Sequence, residues 1–226
     1  MRITITGPAA DSDRALLERH GFAAADGRPD VVVAFGGDGA LMRAEHDFPG
    51  IPKLLLRASR ICKLCAKLPN EEVLARVRDG RYEVRELPKL RVTARGMHLD
   101  GMNDVIVHNA DPRHGIRYRV YVDGREVGGE IIGDGVVVAT PFGSTGYYRS
   151  ITDSSFVVGM GLAFNNSTEQ SDHIVLPDTA EIRLVILRGP AVCYADNHRE
   201  SIELLDGDEV LISKSPEIAR LVVVES

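Results

Sequence analysis

The sequence predicts an α/β domain with a parallel sheet, followed by an all-β, sandwich-like domain. In about the first ninety residues, apolar runs alternate with helix-like segments, which is typical of a parallel sheet covered by helices. Beyond Leu87, short segments with turn residues between them follow one another, which is typical of an antiparallel sandwich. We therefore expect an α/β domain at residues 1–92 and a β-sandwich domain at residues 93–216.

The first domain is expected to contain three strands and three helices. Runs of apolar or β-branched residues predict the strands RITIT, DVVVAF and KLLLR. Helical patterns follow in the segments DSDRALLERHG, ALMRAEHDF and NEEVLARVRDG. We expect Ser12 and Asn70 to cap the first and third helices, and Gly21 and Gly80 to end them.

The second domain is expected to consist of short strands joined by turns. The segment IRYRVYVDGREVGG alternates apolar and polar residues, and Asp123-Gly124 is the signal of a type I′ hairpin. The segments GVVVAT, EIRLVIL, AVCYAD and ARLVVVES are predicted to be further strands, and SIELLDGDEVLIS is predicted to contain a second hairpin.

Composition excludes several classes of function. The 27 basic and 33 acidic side chains give a formal net charge of −6, which disfavours non-specific binding to nucleic acid or to anionic membranes. The chain shows no membrane-spanning apolar run and no signal-peptide pattern at its start, so we expect a cytoplasmic protein.

The three cysteines fit that compartment better than a disulfide framework. Cys62 and Cys65 form a C-x-x-C pattern with no second pair and no partner ligands. We expect them to be packed or incidental and dispensable for chemistry. The histidines show no ligand spacing, and we expect no structural metal site.

A glycine-rich turn follows the second strand. Gly36, Gly37 and Gly39 lie between a buried strand and a helix, which is an arrangement that binds phosphate through backbone amides and the helix N-terminus. Neither of the two common glycine-loop motifs is present. Asp38 would repel phosphate unless it takes part in the chemistry or binds Mg²⁺; the alternative is a tight turn in which Asp38 caps the helix.

Two further polar loops adjoin strands. In GDGVVVATPFGSTGYYRS, Ser144 and Thr145 supply hydroxyl groups, and Tyr147 or Tyr148 could stack on a base; the alternative is a polar loop between strands. In GMNDVIVH, an amide and a carboxylate directly precede a strand and could bind ribose hydroxyls or an adenine edge; the alternative is an ordinary turn.

In this order and spacing, the three loops resemble those of the NAD kinase family. The matching segments are Gly36-Gly37-Asp38-Gly39-Ala40, Asn103-Asp104, and Asp134-Gly135 followed by Thr140 to Tyr147. The resemblance covers most of the chain. It implies the same domain order, with the last strand, about residues 217–226, folding back onto the first domain.

The resemblance also implies roles for single residues. Asp38 resembles the catalytic aspartate that activates the 2′-hydroxyl of the adenosine ribose, and the glycines around it let phosphates approach. The positions that resemble dinucleotide-binding residues are Asn103, Asp104, Asp134, Thr145, Tyr147 and Ser150. Asp196 and Asn197 match a later polar turn of the family only weakly.

Some segments depart from the family pattern. Ala40, Phe142 and Gly146 replace residues of other types. The family's glycine-rich segment after the third strand is here RASRICKLC, and its Gly-Gly-Pro after the tyrosine loop is here ITDSS. These departures indicate a short, divergent, archaeal-like member.

The resemblance implies an NAD kinase that transfers a phosphoryl group from ATP or polyphosphate to NAD, with Mg²⁺ bound to the donor, and that forms a homodimer or homotetramer. The sequence leaves open the choice between ATP and polyphosphate and between NAD and NADH. One alternative is another Gly-Gly-Asp-Gly kinase, for lipids or sugars, which should lack the other two loops. Another is a non-catalytic nucleotide-binding regulator, which would not need Asp38.

Overall fold

The computed structural model describes residues 1–7, 11–60, 62–169 and 173–224. The chain divides into two compact units, residues 1–87 with 217–226, and residues 88–216. No helix among the described residues has the length and apolar character required to cross a lipid bilayer.

The first unit contains helices α1 (Asp11–Arg19), α2 (Asp38–Asp47) and α3 (Asn70–Arg78), and strands β1 (Arg2–Thr6), β2 (Ala23–Ala24), β3 (Val31–Gly36) and β4 (Lys53–Arg57). Strand β5 (Glu83–Ala94) continues into the second unit. The second unit then contains β6 (Met97–Gly101), β7 (Asp104–Asn109), β8 (Ile116–Val122), β9 (Arg125–Gly133), β10 (Gly135–Ala139), a 3₁₀ turn (Gly143–Thr145), α4 (Tyr147–Thr152), β11 (Met160–Asn165), β12 (His173–Leu176), β13 (Ile182–Arg188), β14 (Ala191–Ala195) and β15 (Ile202–Leu204). Strand β16 (Glu209–Val223) begins in the second unit and ends in the first.

The sheet of the first unit is parallel, in the order β2-β1-β3-β4, and the end of β16 pairs with β4 through Leu221 and Lys53. Strand β3 is buried over Val31–Phe35, in agreement with its continuous apolar sequence. Gly36 is paired with Arg57, so β3 and β4 end side by side. The loops that follow these two strands therefore start at the same edge of the sheet.

The helix ends agree only in part with the sequence. Gly21 and Gly80 follow α1 and α3 with φ of +79° and +73°, as expected for glycines that end helices. The predicted caps are wrong, because Ser12 lies inside α1 and Asn70 is the first residue of α3. The Asn70 side chain instead accepts a hydrogen bond from the Arg57 amide (3.0 Å) and donates one to its carbonyl (2.9 Å), which ties α3 to the end of β4.

The second unit is a sandwich of antiparallel sheets. One sheet has the order β12-β11-β10-β7-β14-β15, and the other contains β16-β13-β8-β9 together with the β5–β6 pair. Side chains from both sheets form one apolar core. The parallel sheet of the first unit and this sandwich confirm the predicted fold class.

Only one of the two predicted hairpins forms. Asp123 and Gly124 connect β8 and β9 with φ of +48° and +76°, as a type I′ turn requires. The second prediction is wrong, because β15 pairs with β14 in one sheet while β16 pairs with β13 in the other. The turn between them is fixed by Ile186, whose backbone bonds the amide of Gly207 (2.7 Å) and the carbonyl of Asp208 (3.0 Å).

A buried ion pair joins α2 to β4 in the first unit. The Lys53 and Glu45 side chains are each 1% exposed, and the ammonium group of Lys53 contacts the Glu45 carboxylate. Lys53 also donates to the carbonyl of Phe48 (2.6 Å), and Glu45 accepts from the amide of Gly50 (3.2 Å). These bonds satisfy charges that would be very costly to bury alone.

We expect Glu45→Gln to lower the free energy of unfolding by about 3–5 kcal/mol, because it leaves the Lys53 charge buried without its counter-ion. Denaturant unfolding would measure the loss. The control is Glu72→Gln, which removes the exposed pair between Glu72 and Arg76 and should cost less than about 1 kcal/mol. Equal losses in the two variants would contradict this account of the buried pair.

Candidate active site

The glycine turn places the start of α2 at the end of β3. Gly36 has φ of +153°, and a Cβ there would lie 2.7 Å from the Cβ of Ala40. Gly37 is the N-cap of α2, and its carbonyl accepts a hydrogen bond from the amide of Ala40 (2.9 Å). The turn is only partly buried. It therefore combines partly exposed backbone with a helix N-terminus, which favours an anionic ligand such as a phosphate.

Asp38 is the first residue of α2, and its carboxylate is held by another loop. Its Oδ1 accepts from the amide of Leu64 (3.1 Å), and its Oδ2 lies 3.3 Å from the amide nitrogen of Lys63, which donates to it. Both amides belong to the segment after β4. The reading of Asp38 as a helix cap is not what the structure shows, because the carboxylate is directed toward this segment.

The same segment contains Cys62 and Cys65, which form a disulfide. The Cys62 Sγ lies 3.5 Å from Oδ1 of Asp38, and the Cys65 Sγ lies 3.8 Å from the carbonyl oxygen of Gly36. The expectation of cysteines without a disulfide is therefore wrong, whereas the expectation that they are packed is confirmed, since they lie directly against the glycine turn. The sequence did contain a signal, because consecutive parallel strands end at one edge and the C-x-x-C pattern follows the strand next to β3.

In the second unit, the Asn103-Asp104 turn is hydrogen-bonded to the loop from Thr140 to Tyr147, which we call the Thr-Pro loop. Thr140 donates from Oγ1 to the carbonyl of Met102 (2.7 Å), and its amide donates to the carbonyl of Asn103 (2.8 Å). A Cβ at Gly143 would lie 2.1 Å from that same carbonyl oxygen, so only glycine fits there. The structure thus brings two of the sequence-predicted loops into one cluster.

Asp196 anchors this cluster from a third segment. Its carboxylate accepts hydrogen bonds from the amides of Met102 (2.8 Å), Asn103 (2.7 Å) and Asp104 (3.1 Å). The sequence singled out this residue only through a weak family match. The anchoring cannot be predicted from spacing along the chain, because Asp196 is 92 residues away from Asp104.

Two carboxyl groups therefore lie close together, that of Asp104 buried and that of Asp196 partly buried. Burial raises the pKa of Asp104 to about 7, and the charge of Asp196 adds to the rise. Burial also raises the pKa of Asp196 to about 6, although its three backbone donors act in the opposite direction. Within the described part of the chain, the Asp104 side chain, which is 6% exposed, has no hydrogen-bond partner. It is thus a buried acceptor that a ligand hydroxyl or amine could satisfy.

The two tyrosines of the loop have different environments. Tyr148 is fully buried, and its ring packs edge-on against Phe156 and His173 at centroid distances of 5.1 and 5.6 Å. It belongs to the core and is not placed to stack on a ligand. Tyr147 is partly buried, and its hydroxyl accepts a hydrogen bond from Asn165 (3.1 Å).

The remaining predicted residues are more dispersed. Thr145 ends the 3₁₀ turn and is exposed. Ser150 is exposed on α4 and donates to the carbonyl of Tyr147 (2.7 Å). Asp134 lies just before β10, whereas Asp104 pairs with the last residue of that strand, so the structure does not bring these two carboxylates together.

Asp134 is held by two amide side chains, Asn109 (3.0 Å) and Asn166 (3.1 Å), each bonded to one of its oxygens. Gly135 follows with φ of +127°, and a Cβ there would lie 1.9 Å from the carbonyl oxygen of Val107. The two amide donors and the close backbone approach at Gly135 therefore fix the Asp134 carboxylate at the start of β10.

We expect the stability of the protein to fall as the pH rises from about 4 to about 7. Asp104 and Asp196 bind protons more tightly in the native state than in the unfolded chain, so the unfolded chain binds fewer protons in this window. Asp104→Asn should flatten the decline and be more stable than the parent at pH 8 by roughly 2–4 kcal/mol. Urea unfolding at pH 5 and pH 8 would measure both effects.

The control for this experiment is Asp178→Asn. Asp178 is exposed and paired with Lys214, which lowers the pKa of its carboxyl group. This variant should show the same change in the free energy of unfolding between pH 5 and pH 8 as the parent protein. If the stability of Asp104→Asn fell between pH 5 and pH 8 as much as that of the parent, the pH dependence could not be assigned to Asp104 and Asp196.

Comparison with known proteins identifies the family. Residues 102–224, more than half of the chain, match the family model of the ATP-NAD kinase C-terminal domain. An NAD kinase of Thermococcus gammatolerans is 32% identical over 208 residues, which cover 85% of this chain and 73% of that protein. An NAD kinase of Pseudomonas putida strain GB-1 is 30% identical over 215 residues, with coverage of 85% and 70%.

A solved structure gives the same result. The crystal structure of an NAD kinase from Archaeoglobus fulgidus in complex with ATP superposes with a TM-score of 0.82 at 25% identity, covering 100% of this chain and 94% of that one. These matches confirm the resemblance to the NAD kinase family that the three loops indicated. The chain belongs to the NAD kinase family.

Proposed function

We propose that the protein is an NAD kinase, which transfers the terminal phosphoryl group of ATP to the 2′-hydroxyl of the adenosine ribose of NAD. The observation that carries the proposal is the Asp38 carboxylate, fixed at the start of α2 by two amides of the neighbouring loop. The relatives named NAD kinase and the neighbour solved with ATP support the acceptor and the donor.

In this proposal Asp38 is the general base. A ribose hydroxyl is a poor nucleophile at neutral pH, and a carboxylate within hydrogen-bond reach can orient it and accept its proton as the bond to phosphorus forms. A carboxylate has about four lone-pair sites, so the two amide donors leave acceptor capacity for the substrate. Because those amides come from a separate loop, the carboxylate is oriented before the substrate arrives.

The phosphates of the nucleotide are proposed to bind at the glycine turn. Gly36, Gly37 and Gly39 present no side chain beyond Cα, and the N-terminus of α2 attracts negative charge. Charge neutralisation and positioning are the main requirements of phosphoryl transfer.

Mg²⁺ fits this donor set as an ion that arrives with the phosphates. Among the described residues, no group of three or more histidine, cysteine, aspartate or glutamate side chains could hold a metal. Asp38 can contribute one oxygen, and Mg²⁺ commonly takes one or two carboxylates together with phosphate oxygens. The bound ion would neutralise charge on the transferred phosphoryl group.

The adenosine half of NAD is proposed to bind the cluster around Asp104 in the second unit. The buried Asp104 carboxylate lacks a donor among the described residues, and a ribose hydroxyl would supply one. Asn103, Thr145 and Tyr147 add an amide, a hydroxyl and a ring near the same loop. Asp134 and Ser150 stay predictions for this ligand, since neither belongs to the cluster.

The two alternatives are less well supported. A lipid or sugar kinase would not need the Asn103-Asp104 turn that is locked to the Thr-Pro loop. A non-catalytic nucleotide binder would not need a carboxylate oriented at the glycine turn. The proposal includes a cytoplasmic location, where NAD and ATP are available, and assembly as a homodimer or homotetramer, which sedimentation would check.

We expect Asp38→Asn to fold normally and to bind NAD within a few-fold of the parent, but to lose on the order of 10²–10⁴ in turnover. The substitution keeps the size of the side chain and removes the base. A coupled assay with NAD, ATP and Mg²⁺ would measure turnover, and calorimetric titration would measure NAD binding. Asp47→Asn, at the exposed far end of α2, is the matched control and should keep full turnover.

Near-full turnover in Asp38→Asn would remove Asp38 as the base and leave the turn as a binding loop. A parent protein without activity in this assay would refute the proposed function itself.

We expect Tyr147→Ala to weaken NAD binding by roughly 1–2 kcal/mol, because the ring would no longer pack on the base. Tyr147→Phe should keep most of the affinity, since it loses only the bond to Asn165. Tyr194→Ala removes an exposed tyrosine of β14 as a control and should bind NAD like the parent. Unchanged affinity in Tyr147→Ala would take Tyr147 out of the site.

A further inference from the structure

We propose that the Cys62–Cys65 disulfide positions the Asp38 carboxylate, so that its reduction lowers the turnover of the enzyme. This inference rests on the proposed role of Asp38 as the base, and it assigns a function to a segment that the family resemblance leaves unexplained. It makes the C-x-x-C loop a redox-responsive support of the catalytic turn.

The contacts of the loop carry the first step. Only two residues lie between the cysteines, and the amides of both, Lys63 and Leu64, bond the Asp38 carboxylate at 3.3 and 3.1 Å. The Sγ of Cys62 is 3.5 Å from the same carboxylate. The covalent ring therefore contains the backbone groups that orient Asp38.

One hydrogen bond within the ring and one contact outside it hold the ring further. The amide of Cys65 donates to the Sγ of Cys62 (3.1 Å), and the Cys65 Sγ lies against the carbonyl of Gly36 at 3.8 Å. The two cysteines are only 9% and 6% exposed. The disulfide is thus packed onto the turn that carries Asp38, and it does not lie on a remote surface.

Reduction of this disulfide is a balanced two-electron exchange with a dithiol. A thiolate of the reductant attacks one sulfur of the Cys62–Cys65 bond and releases the other as a thiolate. The second thiol of the reductant, as a thiolate, then attacks the reductant's sulfur in the mixed disulfide, which closes the reductant's own disulfide and releases the remaining cysteine as a thiolate. The protein gains two electrons and two protons as two thiols, and the reductant loses the same number.

The direction of the effect follows from loop entropy. With the bond closed, the short ring restricts the peptides of Lys63 and Leu64 to few conformations, and the carboxylate is held for the acceptor hydroxyl. With the bond open, these peptides gain freedom and the carboxylate can turn away. A small displacement of a catalytic group is enough to lower the rate strongly.

The pair also fits the known behaviour of disulfides in reducing compartments. Where thiols are kept reduced, disulfides are usually transient and serve catalysis or redox sensing. The third cysteine, Cys193, is buried in the second unit, and burial raises the pKa of its thiol to about 12, so it should not compete.

The first experiment compares turnover of the oxidised protein and of the protein reduced with dithiothreitol and freed of reductant. We expect the reduced form to show about a tenfold lower kcat, a KM for NAD within twofold of the oxidised form, and recovery when the disulfide is re-formed with oxidised glutathione. The variant Cys62→Ser/Cys65→Ser should have the low kcat in both conditions. Cys193→Ala is the control and should respond like the parent.

Equal kcat in the oxidised and reduced protein would overturn the proposal. Unfolding of the protein on reduction, seen by circular dichroism, would also overturn it, since the disulfide would then only stabilise the fold. A change in KM without a change in kcat would assign the loop to substrate binding and would count against positioning of the base.

A second measurement does not depend on activity. If the closed loop binds the carboxylate, then loss of the carboxylate must shift the thiol–disulfide equilibrium by the same coupling. We expect Asp38→Asn to shift the equilibrium constant with dithiothreitol about fivefold or more toward the dithiol, because the charge-assisted bonds to the ring are lost. Trapping of free thiols with iodoacetamide, followed by mass spectrometry, would measure this constant.

Asp47→Asn is again the matched control, and its equilibrium constant should equal that of the parent. An Asp38→Asn constant equal to that of the parent would overturn the coupling. A parent that lacks NAD kinase activity in both redox states would refute the proposed function, while this equilibrium would still test the contact between the ring and Asp38.

Discussion

The parallel pairing of β3 with β4 is the constraint on which the candidate active site depends. The pairing places Gly36 beside Arg57, so the glycine turn and the C-x-x-C loop start at neighbouring strand ends. Each segment alone leaves the site incomplete. The turn supplies a carboxylate, and the loop supplies the amides that orient it. The buried pair of Lys53 and Glu45 fixes α2 on the strand that leads into this loop, and so limits any sliding of the two segments.

In the second unit, hydrogen bonds and burial, and no disulfide ring, hold the polar groups of the Asn103-Asp104 turn in place. Asp196 gives its carboxylate to three consecutive amides and so fixes the turn before β7. Its charge then acts on the neighbouring Asp104, whose pKa is raised by burial and by this charge. The same arrangement that makes the turn rigid therefore leaves one carboxyl group poorly satisfied, which is costly for the fold and useful for a ligand.

Local patterns in the sequence were sufficient for the fold class, for the β3–α2 turn and for the type I′ turn at Asp123-Gly124. They failed where partners come from distant segments. The turn residues within SIELLDGDEVLIS do not reveal that its two strands belong to different sheets, because each strand pairs with another strand, β14 or β13, outside the segment. Asn70 looks like a helix cap until the end of β4 is placed next to it. The place of the C-x-x-C loop beside the glycine turn follows only when its spacing is combined with the order of the strands, and the anchoring by Asp196 could not be derived from spacing at all.

The close approach of Gly143 to Asn103 has a consequence for protein engineering. There is no room for a Cβ between the two backbones, and Thr140 bonds the same turn from the other side. The two loops are therefore a single structural module, although 38 residues separate Met102 from Thr140. Grafting the Thr-Pro loop from another enzyme to alter nucleotide preference would require transplanting residues 101–104 along with it. Libraries that randomise only one of the two loops would be dominated by chains that cannot close the module.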